Sequence, residues 1–396
     1  MTTSPPLPAA PAPPALPDTG VAMTVANLEA FVFRAPCAVP VRTAFGVMHD
    51  RPAVLVRVRD VDGVEGWGEV WCNFPGVGAE HRARLVSSLV APMLQGATVT
   101  QPAQTTEALE NRLSILAIQC GEPGPLAQVL AGVDQALWDL AARRMKTPLW
   151  RLLGGASATI GAYASGLGPG GAIETALAHQ AQGYRAFKLK VGFNPQDDVE
   201  NLRALRRALG DDARLMVDAN QGWSRDEALR ACPRLAESGL DWIEEPLRAD
   251  APPAQWRDVA AATSVPLAAG ENIMGLDRFE QAVGSGTLGV VQPDVAKWGG
   301  VSRCLPVARM ALAAGLRYCP HYLGAGVGLA MSAHLLAAAG GNGMLEVDSN
   351  PNPLREMLWP TLAALRDGRV TLGEEPGIGP APELDALSEF AVPVVR

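Results

Sequence analysis

The chain of 396 residues carries 33 basic and 41 acidic side chains, a net charge of −8, and 48% of its residues are hydrophobic. At about 100–200 residues per domain, this length predicts two or three domains with a sizeable core, which excludes a wholly disordered chain. The acidic balance argues against a protein that coats nucleic acid or an anionic membrane, and the longest apolar runs are too short to span a bilayer.

The first twenty residues hold seven prolines and lack the basic start and continuous apolar run of a secretory signal. We therefore expect a disordered or polyproline-like tail over residues 1–22. The six cysteines are scattered along the chain without a CxxC pair. That pattern is typical of reduced thiols, and we expect a cytoplasmic protein.

Residues 23–150 predict an α+β domain. Three stretches rich in Val, Phe or Leu predict strands, with Asp62-Gly63 as a tight-turn signal between the last two, and three helical patterns follow. The predicted strands are Val25–Arg34, Ala53–Asp60 and Gly63–Val70, and the predicted helices lie near Glu80–Leu94, Gln104–Leu116 and Leu126–Arg143.

From residue 151 to 360, short apolar strands alternate with amphipathic segments. Repeated βα units make neighbouring strands parallel, and eight of them fit a closed α/β barrel better than an open doubly wound sheet. Residues 361–396 are expected to return to the N-terminal domain. The predicted barrel strands are Gly161–Ser165, Ala186–Val191, Leu215–Asp218, Trp242–Glu244, Leu267–Ala269, Gly289–Gln292, Leu316–Cys319 and Met344–Val347.

One ionisable side chain stands at the end of each strand from the second to the eighth. The interval from one to the next is 23–28 residues, which is one βα unit. Because the carboxyl ends of barrel strands share one mouth, these side chains are expected to surround a single site. They are Lys190, Asp218, Glu244, Glu271, Asp294, His321 and Glu346.

Three of these residues, Asp218, Glu244 and Glu271, are carboxylates on neighbouring predicted strands. Packed together they repel one another, and a cation would allow all three to stay ionised. All-oxygen ligation is typical of Mg²⁺, with Mn²⁺ as the alternative ion, rather than of Zn²⁺. The competing interpretation is a salt-bridged trio paired with lysine and arginine.

Lys188 and Lys190 alternate with Phe187 and Leu189, so both lysines point to the barrel interior. Two like charges in close approach lower each other's pKa, as does a nearby metal, and a lysine tuned toward neutral pH is a usable general base. The alternative is a structural pair bound to the carboxylates, in which Lys188 only assists.

Asp294 and His321 end consecutive predicted strands across the mouth from Lys190. A carboxylate that accepts a hydrogen bond from one ring nitrogen orients the imidazole and raises its basicity, which predicts a second acid/base group. His334 lies in the middle of a helical pattern and is typical of a core histidine. At the place of Glu346, a protonated carboxyl group would donate to a developing oxyanion.

The sequence resembles the enolase superfamily, in particular the mandelate racemase subgroup of the mandelate racemase/muconate lactonizing enzyme family. The resemblance covers nearly the whole chain after the tail, and its motifs agree in order and spacing. They are KLK at 188–190, VDAN at 217–220, IEEP at 243–246, GEN at 270–272, PDVAKWGG at 293–300, PHYLGAGVGL at 320–329 and LE at 345–346.

The resemblance implies a capping domain over a modified (β/α)₇β TIM-type barrel and a symmetric homo-oligomer, an octamer. It also implies Mg²⁺ and two acid/base groups on opposite faces of the substrate α-carbon. The muconate-lactonizing subgroup instead has a lysine on the sixth strand and lacks the histidine, which makes Lys297 the alternative base. The implied roles are Asp218, Glu244 and Glu271 for the metal, Lys190 and Asp294–His321 for acid/base catalysis, Lys188 as an electrostatic partner, Glu346 for the substrate carboxylate and Asn220 for the substrate.

Such a site removes the proton α to a carboxylate, because Mg²⁺ and hydrogen-bond donors stabilise the enediolate that forms. We expect dehydration of a sugar acid to a 2-keto-3-deoxy acid, since many members of the subgroup act on sugar acids. Racemisation or epimerisation of a 2-hydroxy or sugar acid is the alternative at the same site. A catalytically silent barrel that binds a sugar acid is the alternative from another class.

Specificity is expected to come from two loops of the capping domain, Val41–Asp50 and Cys72–Ala79. Arg42 and His49 in the first loop could read a distal carboxylate or hydroxyl groups of the substrate, or they are plain solvated residues. The expected partner is therefore a small carboxylate, with no nucleic acid and no membrane.

Overall fold

An antiparallel sheet packed against helices forms the N-terminal domain of the computed structural model, which describes residues 15–43 and 46–394. The sheet pairs β14, β1, β2 and β3 in that order, and β4 pairs with the start of β1. Its strands are β1 (Met23–Thr43), β2 (Gly46–Asp60), β3 (Glu65–Val70) and β4 (Thr98–Val99), followed in later chain by β14 (Ala391–Val392). Its helices are α1 (Gly78–Leu85), a π-helical turn (Val86–Val90), α2 (Ala91–Leu94), α3 (Pro102–Cys120), α4 (Pro123–Arg144) and α5 (Leu149–Leu152).

The helix α4 is buried along almost its whole length, because the sheet covers one side and the second domain covers the other. Strand β3 lies very close to it: a Cβ added to Gly68 would collide with the carbonyl oxygen of Gly132. Glycine at this point therefore lets the strand and the helix approach. Their contact brings the end of β3 to the edge of the second domain.

The three predicted strands and three predicted helices of this domain are confirmed, but the expected loop Val41–Asp50 is wrong. Its described residues belong to a long hairpin, in which Val41 pairs with Met48. Two prolines, Pro36 and Pro40, interrupt the apolar alternation of β1 and concealed its continuation. The strand accommodates them at a register shift between Pro36 and Val41, as bulges do.

Within the described residues, the second domain has eight parallel strands that pair in the order β11-β10-β9-β8-β7-β6-β5-β12. This nearly closed ring confirms the predicted barrel. The strands are β5 (Thr159–Leu167), β6 (Ala186–Lys190), β7 (Arg214–Asp218), β8 (Ile243–Glu244), β9 (Leu267–Ala269), β10 (Leu288–Val291), β11 (Arg317–Tyr318) and β12 (Met344–Asp348). The helices that follow them in turn are α6 (Ala172–Ala181), α7 (Pro195–Leu209), α8 (Arg225–Ala236), α9 (Pro253–Ala262), α10 (Leu276–Gly284), α11 (Gly300–Ala313), α12 (Gly326–Ala339) and α13 (Pro353–Leu358).

The interior of the barrel changes from apolar to charged along the strands. A buried cluster fills the lower end, and two residues further along the same strands come Lys188, Asp218, Glu244 and Glu346. Since residues i and i+2 of a strand share a face, these charged side chains also point into the barrel, nearer to its mouth. The buried apolar cluster consists of Tyr163, Ala186, Met216, Trp242, Ala268, Val290, Cys319 and Met344.

The two ends of the described chain both pack onto the domains. Leu16 packs against the core and the buried Thr19 donates a hydrogen bond to the carbonyl of Thr100 at 3.0 Å. Disorder predicted over residues 1–22 is therefore wrong for residues 15–22, and residues 1–14 of that prediction lie outside the described residues. Near the other end, β13 (Arg369–Thr371) pairs with β5, and β14 pairs with β1. Among the described residues, no helix combines the length and apolarity that a membrane span requires.

Candidate active site

Three of the predicted site residues stand side by side because of the barrel register. Lys190 on β6 pairs with Asp218 on β7, and Asp218 pairs with Glu244 on β8. Glu271 follows the end of β9 by two residues, and His321 follows the end of β11 by three. The strand ends therefore carry these groups to one mouth.

A cavity of about 650 Å³, measured with its open mouth, lies between the barrel and the N-terminal domain. Five of the predicted catalytic and metal-binding residues line it: Lys190, Asp218, Glu271, His321 and Glu346. Asn220, which is predicted to contact the substrate, also lines the cavity, as do Val41 and Phe74 from the N-terminal domain.

Each of the three predicted metal-binding carboxylates takes a partner from the protein itself. Asp218 accepts a hydrogen bond from Lys190 at 3.1 Å. Glu244 accepts hydrogen bonds from Lys188 at 2.7 Å, while Glu271 contacts the Nε2 atom of His321. Among the described residues, no group of three acidic, histidine or cysteine side chains stands ready to hold a metal ion. A divalent ion would therefore compete with the two lysines and the histidine for these oxygens.

The chemistry of the donor set nevertheless fits Mg²⁺. All three side chains offer hard carboxylate oxygens from neighbouring strand ends, and little of any of them is exposed. Burial raises the pKa of Glu244 to about 7, opposed by the charge of Lys188 and assisted by the charges of Asp218 and Glu346. Crowded negative charge of this kind is what a bound cation relieves.

Lys188 occupies the centre of a buried charge cluster. Its Nζ atom lies 2.7 Å from Glu244 and 2.6 Å from Glu346, and the lysine is 2% exposed. Burial lowers the pKa of Lys188, but the two carboxylates outweigh burial and hold that pKa well above its usual value. Lys188 is therefore a fixed positive charge, as its predicted role as an electrostatic partner requires.

The same cluster makes the prediction of a protonated Glu346 wrong. Its oxygens accept hydrogen bonds from Ser165 at 2.5 Å and from the backbone N–H of Tyr322 at 3.1 Å. Burial raises the pKa of Glu346, but the charges of Lys188 and His321 outweigh burial and leave that pKa below its usual value. An ionised carboxylate accepts hydrogen bonds and cannot donate one.

Replacing Lys188 by Met is expected to destabilise the protein strongly, because two buried carboxylates would lose their cation. Breaking a buried ion pair by removing one partner costs about 3–5 kcal/mol. Chemical denaturation of the variant measures the change. The control is Arg248→Ala, which removes one partner of the exposed Arg248–Asp250 pair and is expected to change stability little. Equal stabilities of the Lys188 variant and the parent would contradict the ion-pair account.

Of the two lysines on β6, Lys190 is the one that lines the cavity. It donates to Asn220 Oδ1 at 2.5 Å and to Asp218 Oδ2 at 3.1 Å. Burial and Lys188 lower its pKa, but Asp218 outweighs them and the pKa of Lys190 is raised. Asp218 contributes more than the like charge of Lys188, so the contact with Asp218 opposes the expected tuning of this lysine toward neutral pH.

His321 and Asp294 form the predicted pair. The Nδ1 atom of His321 lies 2.7 Å from Asp294 Oδ2, and Asp294 Oδ1 accepts the backbone N–H of Ala296 at 2.8 Å. Burial lowers the pKa of His321, but Glu271, Glu346 and the bond to Asp294 outweigh burial and raise that pKa well above its usual value. By contrast, His334 accepts a backbone N–H from Trp150 at 3.1 Å and is a core histidine.

Unlike Asn220, neither of the two predicted specificity residues of the N-terminal domain is confirmed as part of the cavity wall. His49 is exposed on β2 and is not among the residues that line the described cavity. Arg42 lies on β1, and its side chain is outside the described part of the chain.

Sequence reasoning missed several residues of the cavity wall. Ser165 and Asp348 line it, and each lies two residues from an inward-facing residue of the same strand, Tyr163 or Glu346. Strand alternation could therefore have found both. Lys297, the alternative base implied by the family resemblance, also lines the cavity, 2.8 Å from Asn272 Oδ1 and 5.0 Å above the ring of Trp71. No sequence signal indicated that Trp71 would reach across from the other domain.

Comparisons with known proteins match both domains. Residues 27–154 match the family described as mandelate racemase/muconate lactonizing enzyme, N-terminal domain, and residues 172–386 match the one described as enolase C-terminal domain-like. D-galactarolactone cycloisomerase from Agrobacterium fabrum is 32% identical, over 87% of this chain and 92% of its own length. Other relatives are named as dehydratases of arabinonate, L-talarate/galactarate and D-galactonate, and as an N-succinyl-L-Arg/Lys racemase.

Solved structures agree with these matches. A structure from Bordetella bronchiseptica RB50, titled mandelate racemase/muconate lactonizing enzyme, has a TM-score of 0.89 and 55% identity, and covers 93% of this chain and 100% of its own. A racemase from Streptomyces coelicolor A3(2) with bound magnesium has a TM-score of 0.82 and 30% identity, and covers 93% and 100%. Magnesium is thus present in a structure of the same fold.

Proposed function

Because the chain belongs to the mandelate racemase/muconate lactonizing enzyme family, we propose that it removes the proton α to the carboxylate of a small acid in the presence of Mg²⁺. The reaction that we favour is dehydration of a sugar acid to a 2-keto-3-deoxy acid. One observation carries the proposal: Lys190 and His321 line the same cavity as the carboxylates of Asp218 and Glu271. Relatives named as sugar-acid dehydratases support the substrate class.

Asp218, Glu244 and Glu271 would hold the Mg²⁺ ion. When bound, the ion supplies Lewis-acid stabilisation of the enediolate and takes up the carboxylate charge that otherwise raises the pKa of Lys190. Lys188 keeps its positive charge beneath the site and holds Glu244 in place through both oxygens.

The acid/base work falls to groups on two sides of the cavity. As the neutral amine, Lys190 takes the α-proton, and the His321 Nε2 atom, oriented from behind by Asp294, donates a proton to the leaving β-hydroxyl group. Asn220 Oδ1 accepts a hydrogen bond from Lys190 Nζ and so holds that nitrogen in the cavity. Ionised Glu346 accepts a hydrogen bond from the backbone N–H of Tyr322, so it holds this residue of the cavity wall in place and does not donate a proton to the substrate.

Racemisation or epimerisation is the second candidate, because two acid/base groups share the cavity and a relative is named as a racemase. In that reaction His321 returns a proton to the opposite face of the α-carbon instead of to a hydroxyl group. The first chemical step is the same in both reactions.

A product screen tests the favoured reaction. The protein is incubated with Mg²⁺ and a panel of mono- and dicarboxylic sugar acids, including D-galactonate, galactarate and arabinonate, and 2-keto acids are detected as semicarbazones. We expect keto-acid formation from at least one acid and its loss in Lys190→Ala. Epimer formation without a keto acid would replace dehydration by epimerisation. A catalytically silent barrel would give neither product with any member of the panel.

Lys297→Met separates the two candidate bases. Lys297 lies in the cavity wall, bonded to Asn272 and stacked over Trp71, so we expect a raised KM and a kcat within about tenfold of the parent. Lys190→Met should lower kcat by about 10²–10⁴-fold, the usual contribution of a general base. Steady-state kinetics of both variants measure the difference. A larger kcat loss in Lys297→Met than in Lys190→Met would instead make Lys297 the base.

A further inference from the structure

The loop that carries His321 is held from the other domain by Glu69. Residues 322–325 connect His321 to α12, and the two oxygens of Glu69 accept the backbone N–H groups of Ala325 at 2.6 Å and Gly328 at 2.9 Å. Glu69 lies on β3 and is 2% exposed. A carboxylate here satisfies orphan N–H groups at the start of α12 and interacts favourably with the helix dipole.

A second residue of the same segment holds the middle of this loop. Asn73, three residues beyond the end of β3, donates to the carbonyl oxygen of Leu323 at 2.6 Å. Gly324 lies between the two contacts, and a Cβ added to it would lie 2.7 Å from Glu69 Oε1 and closer still to Tyr322 Oη. A side chain at this position would therefore have to displace Tyr322 and Glu69, and glycine lets the loop approach Glu69.

The same segment also holds the loop of Asp294. The backbone N–H of Trp71 donates to the carbonyl oxygen of Ala296 at 3.2 Å. Gln135 donates to the carbonyl oxygens of both Glu69 and Val295 at 2.9 Å, and it accepts the backbone N–H of Glu69 at 3.2 Å. One short segment, residues 69–73, thus touches the loops of both partners in the His321–Asp294 pair.

We propose that Glu69 is a positioning residue, which sets His321 against Asp294 from across the domain boundary by holding the His321 loop. The proposal rests on the proposed function, in which this pair is the second acid/base group. It gives the N-terminal domain a part in acid/base chemistry besides covering the cavity. An acid/base group must sit within hydrogen-bond reach of its proton, and a displacement of about 1 Å costs about 100-fold in rate.

Histidine spectra of the full chain test the proposal without a substrate. The sequence has five histidines, so [¹⁵N]histidine labelling gives few signals, and His321→Asn identifies those of His321. In Glu69→Gln, an NH₂ group replaces one of the two accepting oxygens and cannot accept the backbone N–H group that it faces. We expect the His321 ring signals to shift or broaden, with those of His334 and His179 unchanged.

Two further variants complete the test. Asn73→Ala removes the hydrogen bond to the carbonyl oxygen of Leu323, and it should shift the same His321 signals. This variant replaces Glu69→Gln in the test if Glu69→Gln does not fold. Asp139→Asn is the control, since Asp139 is a buried carboxylate that accepts the backbone N–H groups of Trp67 and Ile378 and an N–H of Arg143, none of which belongs to the His321 or Asp294 loop. His321 signals that stay at parent positions in folded Glu69→Gln and Asn73→Ala would overturn the proposal.

Kinetics separate this proposal from the proposed function. With any panel acid that reacts, Glu69→Gln should lower kcat about 10–100-fold and leave KM nearly unchanged, since the substrate contacts remain. If Glu69→Gln shifts the His321 signals while the parent protein exchanges no α-proton with any acid of the panel, the positioning role stands and the proposed function is refuted. An unchanged kcat in Glu69→Gln beside an active parent would refute the positioning role alone.

Discussion

His321→Asn is expected to lower kcat for dehydration by about 10²–10⁴-fold, the range that a general acid/base group contributes. Asparagine keeps a polar side chain of similar reach to Nδ1 but cannot deliver a proton from the Nε2 position. The loss should be confined to steps that need His321. Lys190 faces the same cavity from another strand, so exchange of the α-proton with solvent should survive in this variant.

The control for this prediction is His49→Asn, because His49 is exposed and does not line the described cavity. Its kcat and KM should equal those of the parent. Loss of both dehydration and α-proton exchange in His321→Asn would mean that His321, and not Lys190, removes the proton. Parent-like dehydration in His321→Asn would remove the histidine from the mechanism.

Removal of divalent cations is expected to abolish turnover and return of Mg²⁺ is expected to restore it. The reason is electrostatic: an enediolate next to Asp218, Glu244 and Glu271 adds negative charge to a site that is already crowded with it. Activity after treatment with EDTA, followed by titration with MgCl₂, measures the dependence. We expect a loss of more than about 10³-fold, on the order of several kcal/mol of transition-state stabilisation.

Asp218→Asn tests the ligand assignment separately from catalysis. Asn220 leaves Lys190 a hydrogen-bond partner in this variant, so the lysine need not become unpaired. Calorimetric titration should show Mg²⁺ affinity at least about 10-fold weaker, because a neutral amide oxygen replaces a charged ligand. Asp258→Asn, which changes an exposed ion pair, is the control. Undiminished activity in EDTA, or equal Mg²⁺ affinity in Asp218→Asn, would contradict the metal account.

The barrel and the strand-end residues could be read from the sequence because both depend on local periodicity. A βα repeat fixes which residue ends each strand, and alternation fixes which side chains face inward, so Lys190, Asp218 and His321 were found from spacing alone. The same rule would have found Ser165 and Asp348 had it been carried down the first and last strands. Predicting these residues requires no information about the N-terminal domain.

Features that depend on contacts between distant segments were not accessible in this way. Trp71 and Glu69 meet the barrel through a domain interface that no local pattern encodes. The charge states of Lys190 and Glu346 depend on which charged groups lie nearest in space, and the expectation of a protonated Glu346 was wrong. The long hairpin of β1 and β2 was not predicted, because Pro36 and Pro40 interrupt the apolar alternation of β1 at the register shift between Pro36 and Val41.

Exchange of the α-proton tests the central claim most directly, since every proposed reaction of this site begins with its removal. The protein is incubated with Mg²⁺ and the sugar-acid panel in D₂O, and the α-proton signal is followed by NMR. We predict that at least one acid loses this signal with the parent protein, and that no acid loses it with Lys190→Ala or in EDTA. Exchange that persists in both Lys190→Ala and EDTA would contradict the account.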